Sequence, residues 1–90
     1  MKEADYRTAL AEKGFDEPVL VKRDGDAPLA GHTHPFEAMA YILEGEITII
    51  TEESAKTYHA GEVFHLQSNE FHREEFGPAG VTYLSGRKSL

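Results

Sequence analysis

Gly31-His32-Thr33-His34-Pro35-Phe36-Glu37-Ala38-Met39-Ala40-Tyr41-Ile42-Leu43-Glu44-Gly45 is the stretch that decides the fold. Two histidines one residue apart lead into an apolar run rich in strand-forming residues, and the run stops at Glu-Gly. Side chains alternate faces along a strand, so His32 and His34 point the same way, roughly 6–7 Å apart. That spacing suits chelation. Taken alone, such a pair is more often two solvated residues in a Gly/Pro-bounded loop. A third imidazole from a neighbouring strand would complete a three-point attachment and leave positions open for water or substrate. His72, on a later strand, is the candidate.

Working outward, the pattern on both sides is β. Short runs rich in Val, Ile, Thr, Tyr and Phe, each bounded by Gly, Pro, Asn or acidic residues, predict strands at 19–22, 29–34, 38–43, 46–51, 56–59, 62–66, 71–75 and 81–84. Glu44-Gly45 reads as a tight hairpin and Glu52-Glu53-Ser54 as a polar turn, so consecutive strands are expected to be antiparallel neighbours. Before Pro18 the period differs. Tyr6, Ala9, Leu10 and Lys13 fall at helical spacing, and Gly14 supplies a left-handed stop with Phe15 behind it. The expectation is a single domain over 1–90, with an N-terminal helical segment at 1–17 and a barrel at 18–90.

Composition narrows the chemistry. The 90 residues contain no cysteine, which excludes disulfides and thiolate metal sites and leaves nitrogen and oxygen ligands. No apolar run approaches the roughly 20 residues of a membrane span, and the polar, acidic start is unlike a secretory signal; the expected setting is the cytoplasm, with no membrane partner. A net charge of −7 opposes phosphate backbones, so nucleic acid is discounted as a partner.

The opening stretch resembles the first motif of the cupin superfamily, down to its Tyr41-Ile42-Leu43-Glu44-Gly45 ending. After a further fifteen residues, Gly61-Glu62-Val63-Phe64-His65-Leu66-Gln67-Ser68-Asn69-Glu70-Phe71-His72 resembles the second motif, in register. The resemblance covers roughly residues 29–76. It implies an all-β fold, a small antiparallel cupin β-barrel of the double-stranded β-helix or jelly-roll type, here with a short N-terminal helix. It also implies that His32, His34 and His72 bind a divalent metal, with Fe, Zn, Ni, Mn or Cu as the candidates, and that a small-molecule ligand occupies the barrel.

The departures from the family pattern carry expectations too. The family's metal-binding Glu falls four residues after the second histidine, where this chain has Ala38, and the nearest carboxylate is Glu37. Strand parity puts Glu37 on the face opposite His34, so it joins the metal only if Pro35 forces a bulge. Glu74 shares the face of His72 and is the other candidate carboxylate, with a catalytic or supporting role; the alternative is an exposed member of the Glu74-Glu75 pair. Gln67 and Asn69 stand where the family has Pro and Gly, and Asn tolerates the left-handed backbone of such a turn. His65, between Phe64 and Leu66, should face away from the core, and His59 at a strand end should be exposed.

Two functions are open at this point: an enzyme of dioxygenase or isomerase type using a three-histidine metal, or a non-catalytic module that binds or senses a small molecule or metal. A homodimer is expected, because strands this short leave open edges and apolar faces that one small core cannot cover.

Overall fold

In a computed structural model describing residues 2–25 and 31–89, the helix α1 (Glu3–Glu12) precedes six strands. They are β1 (Val19–Arg23), β2 (Gly31–His32), β3 (Phe36–Ile50), β4 (Ala55–His59), β5 (Val63–Leu66) and β6 (His72–Ser89). Every pairing is antiparallel. Two long strands organise the rest: β3 and β6 pair along nearly their whole lengths, from Phe36↔Ser89 to Ile50↔Arg73. The first half of β3 has β5 on its other edge, and the second half has β4. The last half of β6 carries β1, and its start carries β2.

The hairpin expected at Glu44-Gly45 is a bend instead. The chain runs straight on from Ala38 to Ile50 as one strand, with register shifts on either side of Gly45. Gly45 has φ +75°, and a Cβ there would stand 2.1 Å from the carbonyl oxygen of Gly80. A left-handed glycine serves a bend as readily as a turn, because either needs a conformation other residues avoid. Opposite the bend, residues 77–80 of β6 face the single residue Glu46, and Pro78 sits in this bulge, where the ladder needs no N–H from it. The two strands expected at 71–75 and 81–84 are therefore one bent strand.

Bending folds the two halves of each long strand around one core. Ala38, Ala40 and Ile42 from before the bend meet Ile47 and Ile49 from after it, with Phe64, Leu66, Val81 and Tyr83. Inward residues change from even to odd numbers across Gly45, as an inserted bulge residue requires. The expectation that consecutive strands pair holds for β3 and β4, joined by the turn at 51–54, where the Thr51 N–H donates to the Ser54 carbonyl (2.8 Å). It does not hold for β1 and β2, which both pair β6, or for β4 and β5, which both pair β3. The reason is that the long strands offer more edge than any local hairpin. Of the strand expected at 29–34, Leu29 and Ala30 lie outside the described residues.

The opposite face of the β3–β6 pair is also covered. Met39, Tyr41 and Leu84 pack against Tyr6 and Leu10 of α1. The helix ends as its sequence implies: Gly14 takes φ +79°, its N–H donates to Ala11, and the Phe15 N–H donates to Leu10, with Phe15 packed on the same cluster. Tyr6, fully buried, goes further. Its hydroxyl accepts from the Gly86 N–H (3.1 Å) and donates to the Met39 carbonyl (2.7 Å), two residues that face each other in the ladder. The phenol thus spans the gap between the long strands. Burial pushes its pKa up to about 12, against the opposing effects of the Gly86 N–H and Arg7.

Candidate functional site

On β6 the inward face after the turn at residue 70 reads His72, Glu74, Phe76, and after the bulge Val81, Tyr83, Ser85, by alternation from the core positions. His72 is 1 % exposed. Its Nδ1 lies 3.1 Å from the Glu70 carbonyl oxygen, an acceptor only, so Nδ1 carries a proton, and in the neutral ring the lone pair is on Nε2. That fixes the tautomer a metal ligand through Nε2 requires. Nε2 stands 3.8 Å from Glu74 Oε1.

His34 comes to the same place from the other side. Its ring lies 5.4 Å from that of His72, tilted by 46°, and stacks on Phe36 at 4.8 Å. Its carbonyl accepts from the Asn69 N–H (2.7 Å), which ties the first histidine segment to the turn before β6. Asn69 adopts φ +61°, the left-handed conformation expected of it in place of the family's glycine. His32 is directly cross-strand from His72, in the register β2 makes with β6; its side chain lies outside the described residues. Among the described residues, no three His, Asp or Glu side chains converge at ligand spacing.

The carboxylates divide as parity dictates. The register from Phe36 to Ile42 is continuous, with Pro35 in the bend before it, so Ala38 faces the core and Glu37 faces outward. Glu37 there contacts His65 Nε2, and the structure does not bring it to His34 and His72. Glu74, in contrast, is half-buried beside His72 rather than exposed. Phe64 and Leu66 are buried and His65 is exposed, as the alternation predicts, and His59 is exposed at the end of β4. The His59 N–H donates to the Glu62 carboxylate, which holds that carboxyl below its ordinary pKa. A cleft of about 300 Å³ lined by Thr51, Glu52, Glu53, Glu70 and Phe71 opens between the turn after β3 and the residues before β6.

Two features escaped the sequence reading. Tyr83 is buried in the core, and its pKa is pushed up to about 12 by burial and then by the charge of Glu74, with Arg23 and Arg87 opposing. Arg87 was not singled out at all: its guanidinium carbon lies 4.8 Å over the Phe36 ring, cross-strand from Ala38. Parity counted from Tyr83 continues to Arg87, but at this end of β6 the side chain is exposed.

The residues described fit a nitrogen-and-oxygen metal site in part: two facing imidazoles, one with its tautomer set, and one adjacent carboxylate.

Comparison with known proteins agrees with this architecture. A cupin-2 domain protein from Shewanella frigidimarina superposes with a TM-score of 0.61 at 19 % identity, over 79 % of this chain and 67 % of that one. The EutQ protein of Clostridium difficile gives 0.70 at 13 % identity, over 90 % and 57 %. FeII HppE gives 0.66 at 16 % identity, over 79 % and 41 %. This chain thus spans about half the length of the latter two, and at these identities the likeness is one of fold. No curated protein matches the sequence. Residues 19–76 match the family described as the cupin domain, which is more than half of the chain, so this protein belongs to the cupin family.

Proposed function

We propose that the barrel holds a divalent metal on His32, His34 and His72, and that the protein is a metal-dependent enzyme acting on a small organic molecule. The observation that carries this reading is the facing of the His34 and His72 rings inside the barrel, with His72 Nδ1 committed to the Glu70 carbonyl. His32 would join them from the residue cross-strand to His72. When bound, the ion would act as a Lewis acid on a ligand in its open positions, as dioxygenase or isomerase chemistry needs. Imidazole donors suit Fe, Zn, Ni or Cu better than Mg or Ca. The chain's own groups supply the rest: Glu74 stands within reach of a proton on the ligand, and Phe36, Phe64 and Tyr83 keep the interior poor in water.

A second reading, a binding or sensing module without turnover, is favoured by Ala38, which puts a methyl group in the core where the family pattern has a carboxylate. We further propose that the protein works in the cytoplasm as a homodimer. Support for the dimer comes from β1, which among the described residues pairs on one side only and exposes Val19 and Leu20 by 54 % and 55 %.

Metal content of untagged protein tests the site. His32→Ala and His72→Ala are each expected to reduce bound metal to near zero while the circular dichroism of the folded barrel persists, because the core supplies most of the stability. Stoichiometric metal in both variants would overturn the assignment.

A further inference from the structure

We propose that two copies of this chain pair β1 against β1, antiparallel about a two-fold axis, with Leu20 opposite the partner's Leu20. The proposal rests on the homodimer reading and adds the register and the residues that select it. Which backbone groups of β1 are free follows from β6. The Gly86 N–H and the Leu84 carbonyl point to the β3 side, where they meet the Tyr6 hydroxyl beside Met39. Alternate residues of a strand turn their N–H and C=O groups to opposite edges, so those of Val81, Tyr83, Ser85 and Arg87 face β1. The Asp16 N–H donating to the Arg87 carbonyl (2.8 Å) agrees. Val19, Val21 and Arg23, opposite Ser85, Tyr83 and Val81, therefore commit their backbone groups to β6. Those of Leu20 and Lys22 face the other edge, which no strand pairs among the described residues, and Val19 and Leu20 are more than half exposed there.

Bonded and non-bonded pairs alternate along an antiparallel ladder, so a two-fold axis must bring edge-facing residues of one strand to edge-facing residues of the other. Three registers on the apolar run satisfy this, centred on Val19, Leu20 or Val21. Centred on Val19, Leu20 faces the partner's Pro18, which has no N–H, and the Leu20 carbonyl is left without a donor. Centred on Val21, Lys22 falls on the partner's Leu20 and Arg23 on the partner's Val19, so neither cation meets an acid. Centred on Leu20, the two Leu20 residues exchange both backbone bonds, and the Lys22 N–H reaches the carbonyl of the partner's Pro18. The Lys22 carbonyl, which that proline cannot serve, already accepts from Arg23 Nη1 (2.9 Å). No edge group in this span is orphaned. The side chains agree: Val19 meets the partner's Val21, and Arg23 meets the partner's Glu17, twice by symmetry. The segment Asp16-Glu17-Pro18-Val19-Leu20-Val21-Lys22-Arg23 is acidic at one end, basic at the other and apolar between, so it complements its own reverse.

Cysteine cross-linking of the full chain tests the register. The chain has no cysteine, so a single introduced one can form a disulfide only with another copy. In Leu20→Cys the paired Cα atoms stand about 5.5 Å apart, within disulfide reach. In Lys22→Cys they are offset along the strands by roughly 14 Å, beyond it. Under mild oxidation Leu20→Cys should form the covalent dimer at least about tenfold faster than Lys22→Cys. Independently, Arg23→Glu and Glu17→Arg should each raise the dimer dissociation constant about tenfold, and the double variant should recover most of the loss, with circular dichroism unchanged throughout. Equal cross-linking rates, or a double variant no tighter than the single ones, in a protein that is a dimer, overturns the register and leaves the homodimer reading standing. A monomeric unaltered chain at micromolar concentration overturns both.

Discussion

Removing one oxygen atom from Tyr6 should weaken the whole molecule. In Tyr6→Phe the ring keeps its stacking on Tyr41, with centroids 5.4 Å apart, and its place beside Leu10, so the change isolates the hydroxyl. What is lost is the bridge between the Gly86 N–H and the Met39 carbonyl, at 3.1 and 2.7 Å, in a place where Tyr6 itself has no exposure. A buried backbone group left without its partner costs about 1–3 kcal/mol, and the easier desolvation of phenylalanine returns part of that. The net loss should be about 2 kcal/mol. In a urea titration with a slope of about 1–1.5 kcal/mol per molar, the midpoint should fall by roughly 1.3–2 M, and the melting temperature by about 8–16 °C.

The pH dependence supplies an internal control. A tyrosine whose pKa rises from 10.0 to about 12 on folding contributes stability that is whole below pH 10 and is lost as the pH climbs through 12. Tyr6→Phe removes the Tyr6 share of that alkaline loss, so the wild-type advantage should shrink between pH 10 and 12. A loss below about 0.5 kcal/mol at neutral pH would refute the reasoning. It would mean that the two strands close their ladder directly and that the phenol is only a filler.

Three further outcomes are expected. Gly45→Ala should destabilise by about 3 kcal/mol or more, because the new Cβ meets the Gly80 carbonyl at 2.1 Å in a left-handed conformation, and a midpoint unchanged in urea would show that the bend can shift without cost. Glu37→Ala should leave metal content unchanged, since its partner is His65 on the outer face, whereas Glu74→Gln should alter metal affinity or the pH profile of any turnover; the reverse pattern would show that the parity assignment is wrong. Light scattering at micromolar concentration should give twice the mass of one 10.0 kDa chain, and Leu20→Lys should halve it; a monomer in the unaltered protein would leave edge pairing without support.

Much of this was readable from local patterns. Alternation alone placed Ala38 and Phe64 inward and Glu37 and His65 outward, because a continuous register leaves each residue only two choices of face. The same rule brought Glu74 to His72. The helix stop at Gly14-Phe15 and the left-handed Asn69 were legible because each is decided within a few residues. Glu44-Gly45 misled because a bend and a hairpin ask for the same glycine, and what distinguishes them is the partner strand some thirty residues onward. Arg87 and the bridging hydroxyl of Tyr6 were hidden for a like reason: each gains its meaning from a contact between opposite ends of the chain.

The long pairing of β3 with β6 has a consequence for how the protein comes into being. Among the described strands only β3 and β4 are both consecutive and paired with each other, so that hairpin can form early, whereas Phe36 must wait for Ser89 and Ile50 for Arg73. Loop closure makes such distant partnerships slow. On a ribosome β6 emerges after the other strands described, and with it come His72, Glu74 and Tyr83. The polar interior is therefore assembled in the final step of folding, by the strand that closes the barrel, and a chain halted before that step has a helix, a hairpin and no site.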